Sequence, residues 1–285
     1  MELFRALAVF AEPPMPGSAP IARALALGAL PAASEYTEVF VFQLYPYASV
    51  YLGAQGMLGG EARDLIAGFW RVLGQPPPPE PDHLSVMLAL YAELAERETG
   101  ETDKVRRDGW RRARLAYLWE HLLSWLPVYL TKLIEIAPPF YRRWGETLLK
   151  ALLEEAQKTE AQAQLPLHLR EALQLIDPRD GETGEFLQSL LSPARSGIIL
   201  LRSDLSRAAR TLELGLRIGE RKYVLESLFA QDARGALDWL ACEARRWSAR
   251  HRQQRDMLGE TARVWEARAL AAAILLEELK AATEQ

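Results

Sequence analysis

Pro76-Pro77-Pro78-Pro79-Glu80-Pro81-Asp82-His83-Leu84 is the stretch whose reading decides the fold. Proline has no N–H and holds φ at about −65°, so four in a row make a stiff, extended connector that cannot be helix. Apolar residues then recur at Leu84, Met87, Leu88, Tyr91 and Leu94, the spacing of one helical face. Glu80, Asp82 and His83 therefore stand at or just before a helix N-terminus. Acidic side chains are favoured there because they accept from free N–H groups and meet the positive end of the helix dipole.

Working outward, the same punctuation yields helices and no clear sheet. Leu3, Leu7 and Phe10 define a short first helix ended by Glu12-Pro13-Pro14. A second helix is expected from about Ala19 to Leu27. The run Val39-Phe40-Val41-Phe42 fits a buried strand or a helix; helix is favoured because its neighbours are helical and no partner strand is evident. Further helices are expected over Glu61–Leu73 with Leu65, Phe69 and Val72 inward, and from Leu84 to about Glu96. A turn over Glu96–Asp103 then leads into a helix from Asp103 to Leu123. Pro127 and Pro138-Pro139 start two more, the second reaching about Thr159. Polar Glu160–Gln164 is taken as a seam, giving an N-terminal domain over 1–159 and a helical C-terminal extension over 160–285 packed on it. In the extension, Ser203-Asp204 is expected to cap Leu205–Leu214 and Asp232 to cap the helix carrying Leu237, Leu240 and Trp247. A last helix runs from Asp256 to Thr283. The fold class expected is all-α.

Composition restricts the function. The 285 residues are 49% hydrophobic and 25% charged, as in an ordinary globular protein. The net charge of −4 gives no general argument for nucleic acid, but it is unevenly spread: Arg195 to Arg255 holds 13 Lys/Arg against 7 Asp/Glu, a local +6 that leaves −10 for the remainder. One cysteine, Cys242, permits no internal disulfide, which agrees with a reducing compartment. Met1-Glu2-Leu3-Phe4-Arg5 does not read as a secretory signal, and the apolar run from Ala269 to Leu276 is too short for a bilayer.

Catalytic patterns are missing. The histidines His83, His121, His168 and His251 form no His-x-x-x-His pair, and a lone cysteine gives no zinc pattern. No Gly-Lys-Ser/Thr follows the glycines between Gly53 and Gly60, which excludes a P-loop. Ser49 lies outside any Gly-x-Ser-x-Gly elbow. Asp177-Pro178-Arg179-Asp180-Gly181 fails the spacing of a calcium loop and reads as a turn. Peptide capture asks for less: carboxylates at one end of a groove and an aromatic or aliphatic floor. Glu80, Asp82 and Glu120 are candidates for the charge, and Tyr45, Tyr47, Trp119, Trp125 and Leu126 for the floor. Another class is a helix-turn-helix DNA-binding regulator built on the basic 195–255 region, with Arg207, Arg210, Arg217, Arg221 and Lys222 on phosphates. Interleaved Glu213, Glu220 and Glu226 argue against it.

Glu80-Pro81-Asp82-His83 resembles the E-P-(x)-D-H motif of the TorD/DmsD/NarJ family of redox-enzyme maturation chaperones, in the form lacking the extra residue. Glu35-Tyr36-Thr37-Glu38-Val39-Phe40 resembles that family's D/E-Y-x-x-L-F segment, with Val39 for leucine. His121-Leu122-Leu123-Ser124-Trp125-Leu126-Pro127 resembles its H-L-x-x-W-x-P segment. The similarity spans roughly the first 155 residues. It implies an all-helical, cytoplasmic, non-enzymatic chaperone, monomeric or dimeric, with no nucleic acid and no stable membrane insertion. Its partner would be the catalytic subunit of a molybdopterin oxidoreductase, bound by its twin-arginine signal peptide or as apo-protein. The chaperone would carry no cofactor, since the molybdenum cofactor belongs to the client. The residues so implied in client binding are Glu80, Pro81, Asp82, His83, Tyr45, Tyr47, Glu120, Trp125, Leu126 and Pro127.

Overall fold

Prolines and glycines set the helix boundaries. The computed structural model describes residues 2–159 and 165–283, and among them there is no strand, only one isolated antiparallel bridge between Tyr47 and His83. The fold is all-α. The seam expected at Glu160–Gln164 lies outside the described residues. Two compact units emerge: Met1–Ser49 with Leu58–Arg170, and Val50–Met57 with Glu171–Gln285. Residues 165–170 thus group with the first unit, and the short stretch Val50–Met57 groups with the second.

In the first unit, Leu84–Gly100 packs against Lys104–Tyr117 and Glu2–Ala8, and Leu126–Ile136 packs against Pro139–Gln157. The helix after the prolines buries Leu84, Met87, Leu88, Tyr91 and Leu94, as its period requires. Aromatic rings fill the centre. Phe40 meets Tyr141 edge-on at 4.9 Å and Trp144 at 5.9 Å, and Trp144 Nε1 donates to Leu7 O at 2.9 Å. Tyr91 donates to Glu155 at 2.7 Å, and Arg114 joins Glu155 to Glu98. The Val39–Phe42 run is helical, but as a π-helix over Thr37–Gln43, where Leu44 N reaches back to Val39 O at 2.7 Å. A second π-helix, Leu118–Leu122, extends Lys104–Tyr117. The wider turn rotates Val41 and Phe42 out to the surface while Val39 and Phe40 stay buried.

Several expectations shift in phase. Phe4, not Leu3, faces inward from the first helix. In Glu61–Val72 the buried residues are Ala62, Ile66 and Ala67, and Val72 is 85% exposed, because the short side chains turn toward the neighbouring helices. Leu84–Gly100 continues through most of the acidic stretch expected to be a turn. Trp110 is half-buried beneath the Arg97 guanidinium, 4.9 Å from its ring centroid.

The second unit is built on Ala233–Gln253 and Glu260–Ala282. Ion pairs Arg245–Glu277 and Arg252–Glu266 fix these two helices antiparallel. Alanines at 241, 244, 269, 272 and 273 bring them close, and Trp247 and Trp265 enclose His251. Gly259, at φ 54°, separates the short Arg255–Leu258 turn from the last helix, so the single helix expected there is broken. Asp232 caps as expected, accepting from Gly235 N at 2.8 Å. Ser203-Asp204 does not: the helix Arg202–Thr211 starts earlier, and Asp204 reaches back from its first turn to accept from Leu201 N at 2.8 Å. Asp177-Pro178-Arg179-Asp180 is a turn closed by Asp180 N on Asp177 O.

Candidate functional site

The proline run delivers Glu80–His83 against Pro46–Ala48. Ala48 N donates to Asp82 O at 3.0 Å and Leu84 N to Pro46 O at 2.8 Å, which makes the Tyr47–His83 bridge. The two acids of the motif then part company. Asp82 is 2% exposed and its carboxylate accepts from Ser49 Oγ at 2.5 Å and Ser49 N at 3.3 Å. Ser49 Oγ in turn accepts from Gly59 N at 3.0 Å. Glu80 is exposed, and its described partner is the Tyr47 hydroxyl, which donates to Oε2 at 3.0 Å.

His83 is buried at the N-cap of the Leu84 helix with extended backbone. Its Nδ1 lies 2.7 Å from Ser85 Oγ, which donates to Glu12 Oε1 at 2.5 Å. Ser85 N donates to the same Nδ1 at 3.4 Å and closes the N-cap. Burial lowers the imidazole pKa, against the charges of Glu12, Glu80 and Asp82, and the ring is neutral at pH 7. The Tyr47 ring meets it edge-on at 4.8 Å. Tyr36 donates to Ala11 O at 3.3 Å; burial, then Glu12 and Glu80, push its pKa up to about 12. Tyr47 is raised further, by burial and by Glu80. Both phenols remain donors. The surface of this corner is thus Glu12, Glu80, part of Tyr47 and Tyr45, which is 41% exposed. Among the described residues no lysine or arginine pairs with Glu12 or Glu80; His83 Nδ1 lies 3.4 Å from Glu12 Oε1.

Beside Glu12 the chain bends through Pro13 and Pro14 into the 3-10 turn Pro16–Ser18. The bend leaves an open groove of 440 Å³, lined by Val9, Glu12, Pro13, Met15, Gly17, Ser18 and Ile21. Met15 is 69% exposed and Val9 37%.

The other expected contacts lie elsewhere. Trp119, Trp125, Leu126 and Pro127 are core residues. Trp125 Nε1 donates to His121 O at 2.8 Å and its ring packs on Tyr129. None of the four reaches the surface. Glu120 accepts from Leu167 N at 2.9 Å and so holds the start of the helix Leu167–Glu171. Pro81 is buried with Asp82. Of the expected ten, Glu80, Tyr45 and Tyr47 reach solvent at the motif. Residues missed were Glu12, Tyr36, Ser49 and Ser85. Glu12 looked like a helix terminator before prolines, and Ser49 was weighed only as a nucleophile.

The basic region is largely neutralised within its own unit. Arg207 pairs with Asp204 and Glu243, Arg246 with Glu243, Arg245 with Glu277, and Arg252 and Arg255 with Glu266. The connector from Leu212 to Glu220 far exceeds the roughly three- or four-residue turn of a helix-turn-helix. A DNA-binding regulator is not favoured. Among the described residues no group of three or more His, Cys, Asp or Glu converges as a metal site, and no helix is long and apolar enough to cross a membrane.

The first unit is all-helical among the described residues and presents an acidic-aromatic corner. A family model described as "Nitrate reductase delta subunit" matches residues 12–130. The chain is 31% identical over 88 residues to a chaperone protein TorD from Photobacterium profundum, covering 30% of this chain and 41% of that relative. It therefore spans less than half the length of this curated relative. Over the matched residues the chain is similar to chaperones of the TorD/NarJ type.

Proposed function

We propose that this protein is a maturation chaperone for a molybdopterin-dependent oxidoreductase. It binds the signal peptide, or another segment, of the catalytic subunit in the cytoplasm and holds it until the molybdenum cofactor is inserted. The cofactor is the client's, and the chaperone performs no covalent step. The observation that carries this reading is Glu80, a carboxylate held out by a proline-stiffened clamp with a tyrosine hydroxyl as its described partner. A guanidinium supplies the missing cation, and bidentate pairing in a partly dry corner exceeds the ~1 kcal/mol of an exposed pair.

The test is titration calorimetry with a twin-arginine signal peptide of a molybdopterin oxidoreductase, and with the apo-subunit that carries it. Wild-type protein binds, and Glu80→Gln weakens binding by about tenfold, or ~1.4 kcal/mol. Failure of the wild type to bind either the peptide or the apo-subunit refutes the reading.

A further inference from the structure

The groove beside Glu12 is an apolar opening, and the motif residues do not line it. Its floor and wall are built, not incidental. Phe10, directly before it, is anchored edge-on to Phe140 at 5.3 Å. Ala11 O is held by Tyr36, Glu12 is held by Ser85, and Ser18 N and Oγ both bond Met15 O, at 2.9 and 2.7 Å. Backbone and rim are therefore fixed, while Met15 leans over the opening with most of its surface in water. An unbranched thioether that can change rotamer suits a wall that must fit varied apolar side chains. The volume falls within the roughly 300–1,000 Å³ typical of ligand clefts.

Charge selects the occupant. Glu12 stands on the rim, Ser85 ties it to the motif helix, and Glu80 lies at the same corner on the Tyr47 hydroxyl. Among the described residues neither has a lysine or arginine partner. An apolar slot with acid at one end is complementary to a segment that is basic first and apolar next.

Building on the proposed function, we infer that the Val9–Pro13–Met15–Ile21 groove receives the apolar side chains of the client segment, with Glu12 meeting, beside Glu80, the basic residues that precede them. Glu12 thereby takes the place that Asp82, turned inward on Ser49, cannot fill.

Two synthetic fluorescent peptides test this by anisotropy against the full-length protein. One carries two adjacent arginines followed by a run of leucines; the other has serines in place of the leucines. Val9→Ser with Met15→Ser removes exposed apolar surface and leaves the buried core and the Glu12 contacts in place. It raises Kd for the leucine peptide about tenfold and leaves the serine peptide unchanged. Glu12→Gln keeps an acceptor for Ser85, weakens both peptides and flattens their salt dependence. If the groove variant binds the leucine peptide as tightly as wild type while Glu80→Gln weakens it, the groove inference is overturned and the chaperone reading stands. If wild-type protein binds neither peptide, the groove inference is overturned, and the chaperone reading falls with it only when the apo-subunit is not bound either. If the groove variant instead dissociates a wild-type dimer without altering peptide affinity, the groove belongs to a second copy of the chain and the inference is overturned.

Discussion

Asp82 and Glu80 are two residues apart and chemically alike, yet the structure assigns them opposite sensitivities. Asp82→Ala removes the acceptor of Ser49 Oγ and Ser49 N, one contact short at 2.5 Å and one long at 3.3 Å. A hydrogen bond to a charged group contributes about 1.5–3 kcal/mol, and each buried donor left without an acceptor costs ~1–3 kcal/mol. The hydroxyl bond and its orphaned proton dominate, because the longer contact adds little, so the expected loss is about 2–4 kcal/mol. For a domain of the size of the first unit this lowers Tm by roughly 5–15 °C. Glu80→Gln keeps an acceptor for Tyr47 at an exposed site and costs under ~0.5 kcal/mol. The assay is thermal unfolding followed by far-ultraviolet circular dichroism, with peptide binding measured on the same preparations below the transition. Asp82→Ala with Ser49→Ala together should lose less than the sum of the single losses, because the partners act as one unit. Unchanged Tm in Asp82→Ala, or a large drop in Glu80→Gln, refutes the division into a hidden structural acid and an exposed binding acid.

Buried histidines give the pH response. Burial, helped by the neighbouring imidazole, lowers His121 to about 3, and burial lowers His168 and His251 to about 4. The unfolded chain then takes up protons first, so this stability is fully present above about pH 6.5 and is lost as pH falls toward the folded values, by ~2 kcal/mol per histidine at pH 5. Tm measured from pH 7 to pH 5 should fall, and less steeply in His121→Gln with His168→Gln; a Tm that rises on acidification contradicts the assignment. Gly197→Ala should destabilise the second unit by about 3 kcal/mol or more, because φ is +72° and a Cβ would lie 2.4 Å from Ala269 N and 2.8 Å from Trp265 O. Normal chemical denaturation of that variant would show that the backbones part easily. In a mobility-shift assay the protein should leave duplex DNA unshifted at low salt, and a salt-sensitive complex would revive the regulator reading.

Much of the helical layout was legible because prolines and apolar spacing are local signals. Leu84 to Leu94 keeps its period, and Pro127 and Pro139 sit in first turns. The two π-helices were not legible: the extra residue in the turn at Thr37–Gln43 is accepted so that Phe40 can reach Tyr141 and Trp144, a tertiary demand with no local mark. At the candidate site, Glu80-Pro81-Asp82-His83 was legible as a motif at a helix start. Which acid faces water was hidden, because that depends on Ser49 and Gly59 arriving from another part of the chain. Trp125 carried the signature of a binding aromatic and of a core aromatic alike, and burial decided for the core. Glu12 lies far from the motif in sequence and meets it at Ser85 and His83.

The grouping of Val50–Met57 with residues from Glu171 onward has a consequence for synthesis. Gln188 Nε2 donates to Gln55 O at 2.8 Å, and Gly56 lies against Leu191 and Ser192. On a ribosome adding about 5–20 residues per second, these partners emerge on the order of ten seconds after Val50–Met57 does. The first unit must therefore close around Ser49 and Gly59 while the loop between them waits without its final neighbours. The Asp82–Ser49–Gly59 fastening holds the two ends of that waiting loop together, so the later-made Thr183–Leu190 helix finds a prepared partner and need not recruit one from a tangle.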